Sequence, residues 1–134
     1  MSKSTTYIEG LGRRKTAIAR VRLTADSKTS VTVNGKDLTD YFPHESLQKD
    51  VTSVLETPDA GIEHYSISAK VLGGGISSQA EAIRLGIARA LVKEKVERRT
   101  QLKKAGFLKR DPRSVERKKF GLLKARKRPA WSKR

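Results

Sequence analysis

Sixteen of the thirty lysines and arginines in this 134-residue chain fall in residues 98–134, where only Asp111 and Glu116 oppose them. Residues 1–97 carry fourteen cations against twelve acids, close to balance. This asymmetry limits what the chain can fold into. The front part can collapse around an apolar core. The last stretch repels itself and has too few apolar residues to build a core of its own. The expectation is one globular α/β domain over residues 1–97 and a basic extension over residues 98–134, since the length suits one ordinary domain and not two.

The formal net charge of +16 makes a bound polyanion the natural state of such a chain, because the compact protein alone repels itself. Nucleic acid is the leading partner and an anionic membrane surface the second. No apolar run approaches the length of a spanning helix, and Met1-Ser2-Lys3-Ser4 opens no signal-peptide pattern, which argues against the membrane. The chain has no cysteine. Disulfides and thiol catalysis are therefore excluded, a zinc module is disfavoured, and a reducing compartment is compatible.

Residues 1–97 read as mixed α/β. From Thr16 to Thr24, Ala17, Ala19, Val21 and Leu23 alternate with Ile18, Arg20 and Arg22, the period of a strand with one buried face. Val31-Thr32-Val33 repeats the pattern briefly and runs into Asn34-Gly35, a pair suited to a tight turn. Between Pro43 and Pro58, Leu47, Val51, Val54 and Leu55 fall at helical spacing. Tyr65, Ile67, Ala69 and Val71 alternate with Ser66, Ser68 and Lys70 as a further strand. The longest helix is expected from about Ser78 to Glu97, with Ser78 and Glu81 at capping-box spacing and Ala80, Ile83, Ile87, Ala90 and Leu91 as its apolar stripe. Gly86 weakens that helix, which points to close approach of a neighbouring element. The architecture that follows is an open sheet with helices on one face, a two-layer α+β sandwich.

In the extension, Arg98 to Gly106 reads as a basic helix with Gly106 at its C-cap. Beyond it Asp111-Pro112 and Pro129 break structure, and clustered cations are interleaved with Phe107, Phe120 and Trp131. Phosphates need many cations, an extended segment can follow a backbone, and aromatic or Arg planes can stack on unpaired bases. A solvated tail that only aids solubility is the plainer alternative, and the cation density weighs against it. Trp131 fits either base stacking or anchoring on a neighbouring protein.

Two further features invite an anion. Gly12-Arg13-Arg14-Lys15 puts a glycine beside three cations, so that backbone N–H groups and charge could approach a phosphate together, though an ordinary exposed loop would read alike. Gly73-Gly74-Gly75 joins a strand to a helix N-terminus, a geometry that suits anions, and a tight turn without ligand is its structural alternative. The run lacks the Gly-Lys-Ser/Thr ending of a P-loop, and Gly10-Leu11-Gly12 meets Lys15 where a dinucleotide motif needs its third glycine. It is similar to the phosphate loop of the galactokinase and homoserine kinase superfamily, but those enzymes need far more chain. His44 and His64 have no metal-ligand spacing, and Asp37 and Asp40 sit where Asp commonly serves turns and helix starts. No catalytic constellation is present, so the chain is expected to be no enzyme and to need no cofactor, metal or small-molecule substrate.

Gly73-Gly74-Gly75, Ser78-Gln79, Ala82, Gly86 and Ala88-Arg89-Ala90-Leu91 together resemble the signature of the ninth protein of the small ribosomal subunit, in its bacterial type. The resemblance extends to Gly10 through Ala17, Val33-Asn34-Gly35, Arg110-Asp111-Pro112-Arg113, Lys118-Lys119-Phe120-Gly121 and the terminal Ser132-Lys133-Arg134. It therefore covers essentially the whole chain in order. It implies the fold of the second domain of the fifth small-subunit protein, with a left-handed βαβ crossover against the usual right-handed rule. That fold class also holds the kinases named above, so the loop similarity carries no phosphotransfer with it.

The resemblance further implies a structural constituent of the ribosome, located in the cytoplasm, whose domain binds the 3′ domain of the small-subunit ribosomal RNA in the head, beside neighbouring head proteins. The expected ribosomal RNA contacts are Arg13, Arg14, Lys15, Gly73, Gly74 and Gly75 in the domain. In the extension they are Arg98, Arg99, Lys103, Lys104, Lys109, Arg110, Arg113, Arg117, Lys118, Lys119, Lys124, Arg126, Lys127 and Arg128. The tail is expected to reach the peptidyl-site tRNA with Ser132, Lys133 and Arg134. Trp131 stands where other members often carry a different aromatic.

Overall fold

The structure, a computed structural model, describes residues 6–58 and 60–132. Five strands form one mixed sheet: β1 (Ile8–Arg14), β2 (Ala17–Ala25), β3 (Ser30–Val33), β4 (Lys36–Asp37) and β5 (Tyr65–Leu72), in the order β1-β2-β5-β3-β4. β1 and β2 make an antiparallel hairpin, β2 and β5 pair antiparallel, and β3 lies parallel to β5. The turn from β3 to β4 holds Asn34 at φ 50° and Gly35 at φ 81°, the positive pair that a tight hairpin turn requires.

A parallel pair needs a crossover. Here the connection from β3 to β5 runs through β4, a short helix α1 (Leu38–Tyr41), α2 (Glu45–Thr52) and a 3₁₀ turn at Ser53–Glu56. The long helix α3 (Ile76–Glu94) follows β5, and a 3₁₀ turn (Val96–Arg98) leads into α4 (Arg99–Lys104). Helices cover one face of the sheet and leave the other open. The core forms between them from Ala17, Ala19, Val21 and Leu23 of β2, Tyr65, Ile67, Ala69 and Val71 of β5, and Ile83, Ile87 and Leu91 of α3. The alternation legible in β2 and β5 is the alternation observed. This is the expected mixed architecture of sheet and helices.

Three expectations need correction. The capping box does not form: α3 starts at Ile76 with Gly75 in the N-cap position, Ser78 is buried inside the first turn, and Glu81 turns to Arg14 instead. The cluster Gly12-Arg13-Arg14-Lys15, expected just ahead of the first strand, lies for the most part within an edge strand of its own, β1, hidden from the period-two reading because glycines hold core-facing positions. A Cβ on Gly12 would collide with the Ala82 carbonyl and one on Gly10 with the Gly86 carbonyl, so α3 rides directly on the β1 backbone. Gly86 completes this contact from the helix side, where a Cβ would meet Val21 Cγ2 at 2.7 Å. Finally, burial does not stop at Glu97. Leu102 of α4 is fully buried, and Phe107 and Leu108 pack against the core. α4 ends in a Schellman motif, with Gly106 at φ 83°, its N–H on Lys103 O and the Phe107 N–H on Leu102 O.

Candidate nucleic-acid interface

The extension does not leave the domain at α4. Phe107 lies under the guanidinium of Arg84, 5.8 Å from carbon to ring centroid, on the outer side of α3. A few residues on, Asp111 reaches Arg14 at 3.5 Å, and the Arg14 guanidinium also donates to Glu81 of α3 and to the backbone carbonyl of Arg113. The chain thus travels back along α3 toward its N-terminal end before it departs. Asp111 also closes a local ring with Arg113: its carboxylate accepts from the Arg113 backbone N–H at 3.0 Å and from the Arg113 guanidinium at 2.8 Å. These bonds, with the charge of Arg14 behind them, hold the Asp111 carboxyl well below the usual carboxylate range and raise Arg113.

At the same end of the domain the β1–β2 turn carries Lys15 at φ 52°, exposed. Gly73 and Gly74, at φ 75° and 68°, press against Thr16 of that turn and Ala17 at the start of β2. A Cβ on Gly73 would stand 2.7 Å from Thr16 O. Packing and positive φ therefore account for these two glycines without a ligand. Gly75 differs. Its backbone is extended, a Cβ there would meet nothing within 4 Å, and no side chain caps the α3 N-terminus behind it. Lys15 shares a surface cleft with Arg14 and with the departing chain at Arg113 and Ser114, and the packing of Gly73 and Gly74 on Thr16 and Ala17 ties that turn to the loop ahead of the uncapped α3 N-terminus.

The expected contact residues sort into three groups. Arg13, Lys15, Arg99, Lys103, Lys104, Lys109, Arg110, Arg113, Arg117, Lys118, Lys124, Arg126, Lys127 and Arg128 are exposed, and Lys119 is half-buried. Glu116 takes up part of the tail charge, pairing with Lys119 and, at 2.8 Å, with Arg126. Arg14 and Arg98 leave the phosphate-facing set. Arg14 is 8% exposed and its charge is spent on the domain and the tail. Arg98 is 2% exposed and donates to Tyr65 Oη at 2.9 Å, Gly61 O at 3.2 Å and Glu94 at 3.1 Å. Burial works against the Arg98 charge, but the Tyr65 and Glu94 contacts outweigh it and its pKa rises; burial pushes the Tyr65 phenol up as well. The third group, Lys133 and Arg134, lies outside the described residues. Ser132 is exposed, as are Trp131 at 85% and Phe120 at 98%.

A family model described as ribosomal protein S9/S16 matches residues 12–134. The chain belongs to the ribosomal protein S9/S16 family. It is 52% identical over 127 residues to the small ribosomal subunit protein uS9 of Mycobacterium tuberculosis (strain ATCC 25618 / H37Rv), covering 95% of this chain and 83% of that protein. It is 50% identical over 127 residues to the uS9 protein of Nocardia farcinica, covering 95% of this chain and 75% of that protein. S9/S16 proteins are structural proteins of the ribosome and not enzymes. Arg20, Arg22 and Lys70, outside the expected contact residues, point away from the core on adjacent strands. The signal was present: Arg20 and Arg22 occupy consecutive outward positions of one alternating segment and Lys70 an outward position of the other.

Proposed function

We propose that this chain is a structural constituent of the small ribosomal subunit that binds the 3′ domain of its ribosomal RNA in the head, and whose tail reaches peptidyl-site tRNA. The observation that carries this reading is the convergence at the α3 N-terminus. There the Lys15 turn, the open Gly75 corner and the tail, anchored by Arg14, meet on one side, so a single RNA segment can engage the domain and then be followed by the extended cations. Charge neutralisation supplies the affinity. Phe120 and Trp131, left uncovered by the chain itself, are available for stacking. Lys133 and Arg134 carry the tRNA contact, with Ser132 beside them. The parallel β3–β5 pair and its helical crossover support the fold of the second domain of the fifth small-subunit protein, whose crossover is left-handed. The location is the cytoplasmic ribosome, among other head proteins.

The test is a sucrose gradient of native lysate probed for this chain, followed by binding to isolated ribosomal RNA fragments. Comigration with small subunits, lost on RNA digestion, and preference for the 3′-domain fragment are expected. If about 6–10 phosphates are contacted, affinity should fall roughly 10³–10⁵-fold between 50 and 200 mM salt. Free protein at the top of the gradient, or equal affinity for every RNA fragment, would sink the reading.

A further inference from the structure

The face of the sheet that no helix covers is not neutral. Directly opposed residues of an antiparallel pair share a face, so the register fixes its layout. One row runs Glu9, Arg22, Ser68, Thr32, Asp37 from edge to edge. The next runs Leu11, Arg20, Lys70, and the one after it Arg13, Ile18, Leu72. In the first two rows the acids stand at the two edges and Arg20, Arg22 and Lys70 in the middle, while Arg13 adds a cation on the β1 edge. Arg20, Arg22, Ser68 and Lys70 line a cavity of about 160 Å³ on that face.

This arrangement works against the fold. Arg20 and Lys70 are opposed across β2 and β5, and like charges so placed destabilise a sheet. Glu9 relieves Arg20 through an exposed contact at 3.2 Å, and Tyr7 lies under Arg22 at 4.5 Å from its centroid. Lys70 has the two arginines as its charged neighbours on the face. Around the cations, Leu11, Ile18 and Leu72 are 42%, 40% and 70% exposed, where a two-layer protein has no folding reason to keep them. A local rule broken at one place and only partly compensated from within marks a surface completed by something else. Three clustered cations with hydroxyls and apolar side chains beside them complement phosphate flanked by ribose.

We infer that the open sheet face is a second ribosomal RNA site, in which Arg20, Arg22 and Lys70 cradle consecutive phosphates of a backbone segment. The tail and the Lys15 corner hold a different one. The site rests on the ribosomal RNA reading above and extends it to a cleft whose lining shares no residue with the one at Lys15, Arg14 and Arg113. It also gives the domain a grip independent of the extension, so that the tail can be threaded while the domain is already seated.

The experiment compares the full-length chain with its Arg20→Gln/Arg22→Gln/Lys70→Gln variant, titrated against the 3′-domain ribosomal RNA fragment over a salt series. At about 0.7–0.9 per phosphate, losing three contacts should reduce the slope of log K against log salt by roughly 2–3. Hydroxyl-radical protection of one RNA segment should vanish while the tail-dependent protections stay. The variant should melt no lower than the parent, since a like-charge cluster is removed. If it fails to fold, Lys70→Gln alone should lower the slope by about 1 and Arg20→Lys/Arg22→Lys should retain it. An unchanged slope and footprint in a folded variant overturn the inference and leave the tail reading intact. An unchanged slope with loss of a neighbouring head protein from reconstituted subunits overturns it in favour of a protein partner. Failure of the parent itself to bind the fragment would instead remove the ribosomal RNA reading on which the site rests.

Discussion

Arg14 Nη2 stands 3.5 Å from the carboxylate of Asp111, joining the end of the first strand to the root of the tail. The same guanidinium donates to Glu81, so sheet, long helix and tail are tied at one buried cation. A long basic segment leaving a domain without such a tie would sample every direction. This one leaves from a fixed point beside the α3 N-terminus, which lowers the ordering cost when RNA captures it.

Asp111→Asn should loosen the root without unfolding the domain. The carboxylate is about a third exposed, so its pairs are screened and the domain's Tm should change little. The effect should appear in limited proteolysis: trypsin cleavage after Lys109, Arg110 and Arg113 should speed up several-fold, with the folded domain ahead of Lys109 still intact. Unchanged cleavage rates would show that Arg14 and Asp111 do not hold the tail.

The depressed Asp111 carboxyl gives this tie a pH dependence of known sign. Its folded-state pKa lies below the unfolded value of about 4, so the contribution is complete above that value. It is lost as pH falls through the lower folded value. Tail docking should therefore be flat from neutral pH down to about 4 and weaken only in stronger acid. The side-chain carboxyl shift of Asp111 followed by NMR checks this; a midpoint at or above 4 would contradict it.

Where apolar residues alternate, the sequence was a reliable guide. β2, β5, the Asn34-Gly35 turn and the stripe of α3 all stand close to where their spacing put them. β1 escaped because Gly10 and Gly12 leave no hydrophobic signal: the strand is specified by what cannot be present beneath α3. The Ser78–Glu81 pair has the spacing of a cap yet forms none, because α3 starts earlier, at Ile76, and Arg14, far away in sequence, takes up Glu81. Arg98 and Arg14 look like any other cations in a linear reading, and only tertiary burial separates them from the exposed set. The site was legible as charge and not as geometry. Composition located the cations of the tail but could not reveal that its first residues retrace α3 or that one face of the sheet carries its own cluster.

Gly12→Val tests the close approach of β1 and α3. The added side chain would meet the Ala82 carbonyl, which belongs to helix backbone and cannot swing away. Overpacking of this kind costs typically about 1–3 kcal/mol and here should reach the upper end. A chemical denaturation series should show the midpoint fall with the slope unchanged. Gly35→Ala, with nothing within 4 Å but φ at 81°, should cost less, about 1 kcal/mol from backbone strain alone. If both variants lose equally, conformational freedom and not helix approach explains Gly12.

Arg98→Met separates a structural arginine from an RNA-binding one. Removing the guanidinium strands the buried Tyr65 Oη and takes a donor from the less buried Gly61 O and Glu94. The cost should be roughly 3 kcal/mol, the lower end for breaking a buried pair, because Glu94 keeps some access to water. The salt slope of RNA binding, measured where the variant is still folded, should not move. A reduced slope with normal stability would return Arg98 to the contact set.

Removing Lys133 and Arg134 asks whether the tail end has a task separate from assembly. The cations from Lys109 to Arg128 remain, and so do the Arg14 tie and the sheet-face cluster, so the truncated chain should still enter small subunits at the parental level. Two lost phosphate contacts at roughly 0.7–0.9 each should lower the salt slope of peptidyl-site tRNA binding to those subunits by about 1.5, and leave that of ribosomal RNA binding unchanged. Filter binding of tRNA to reconstituted subunits across a salt series measures both arms. Should assembly fail while tRNA binding in the surviving subunits stays normal, the terminal cations belong to ribosomal RNA and the tail's reach to tRNA must be abandoned.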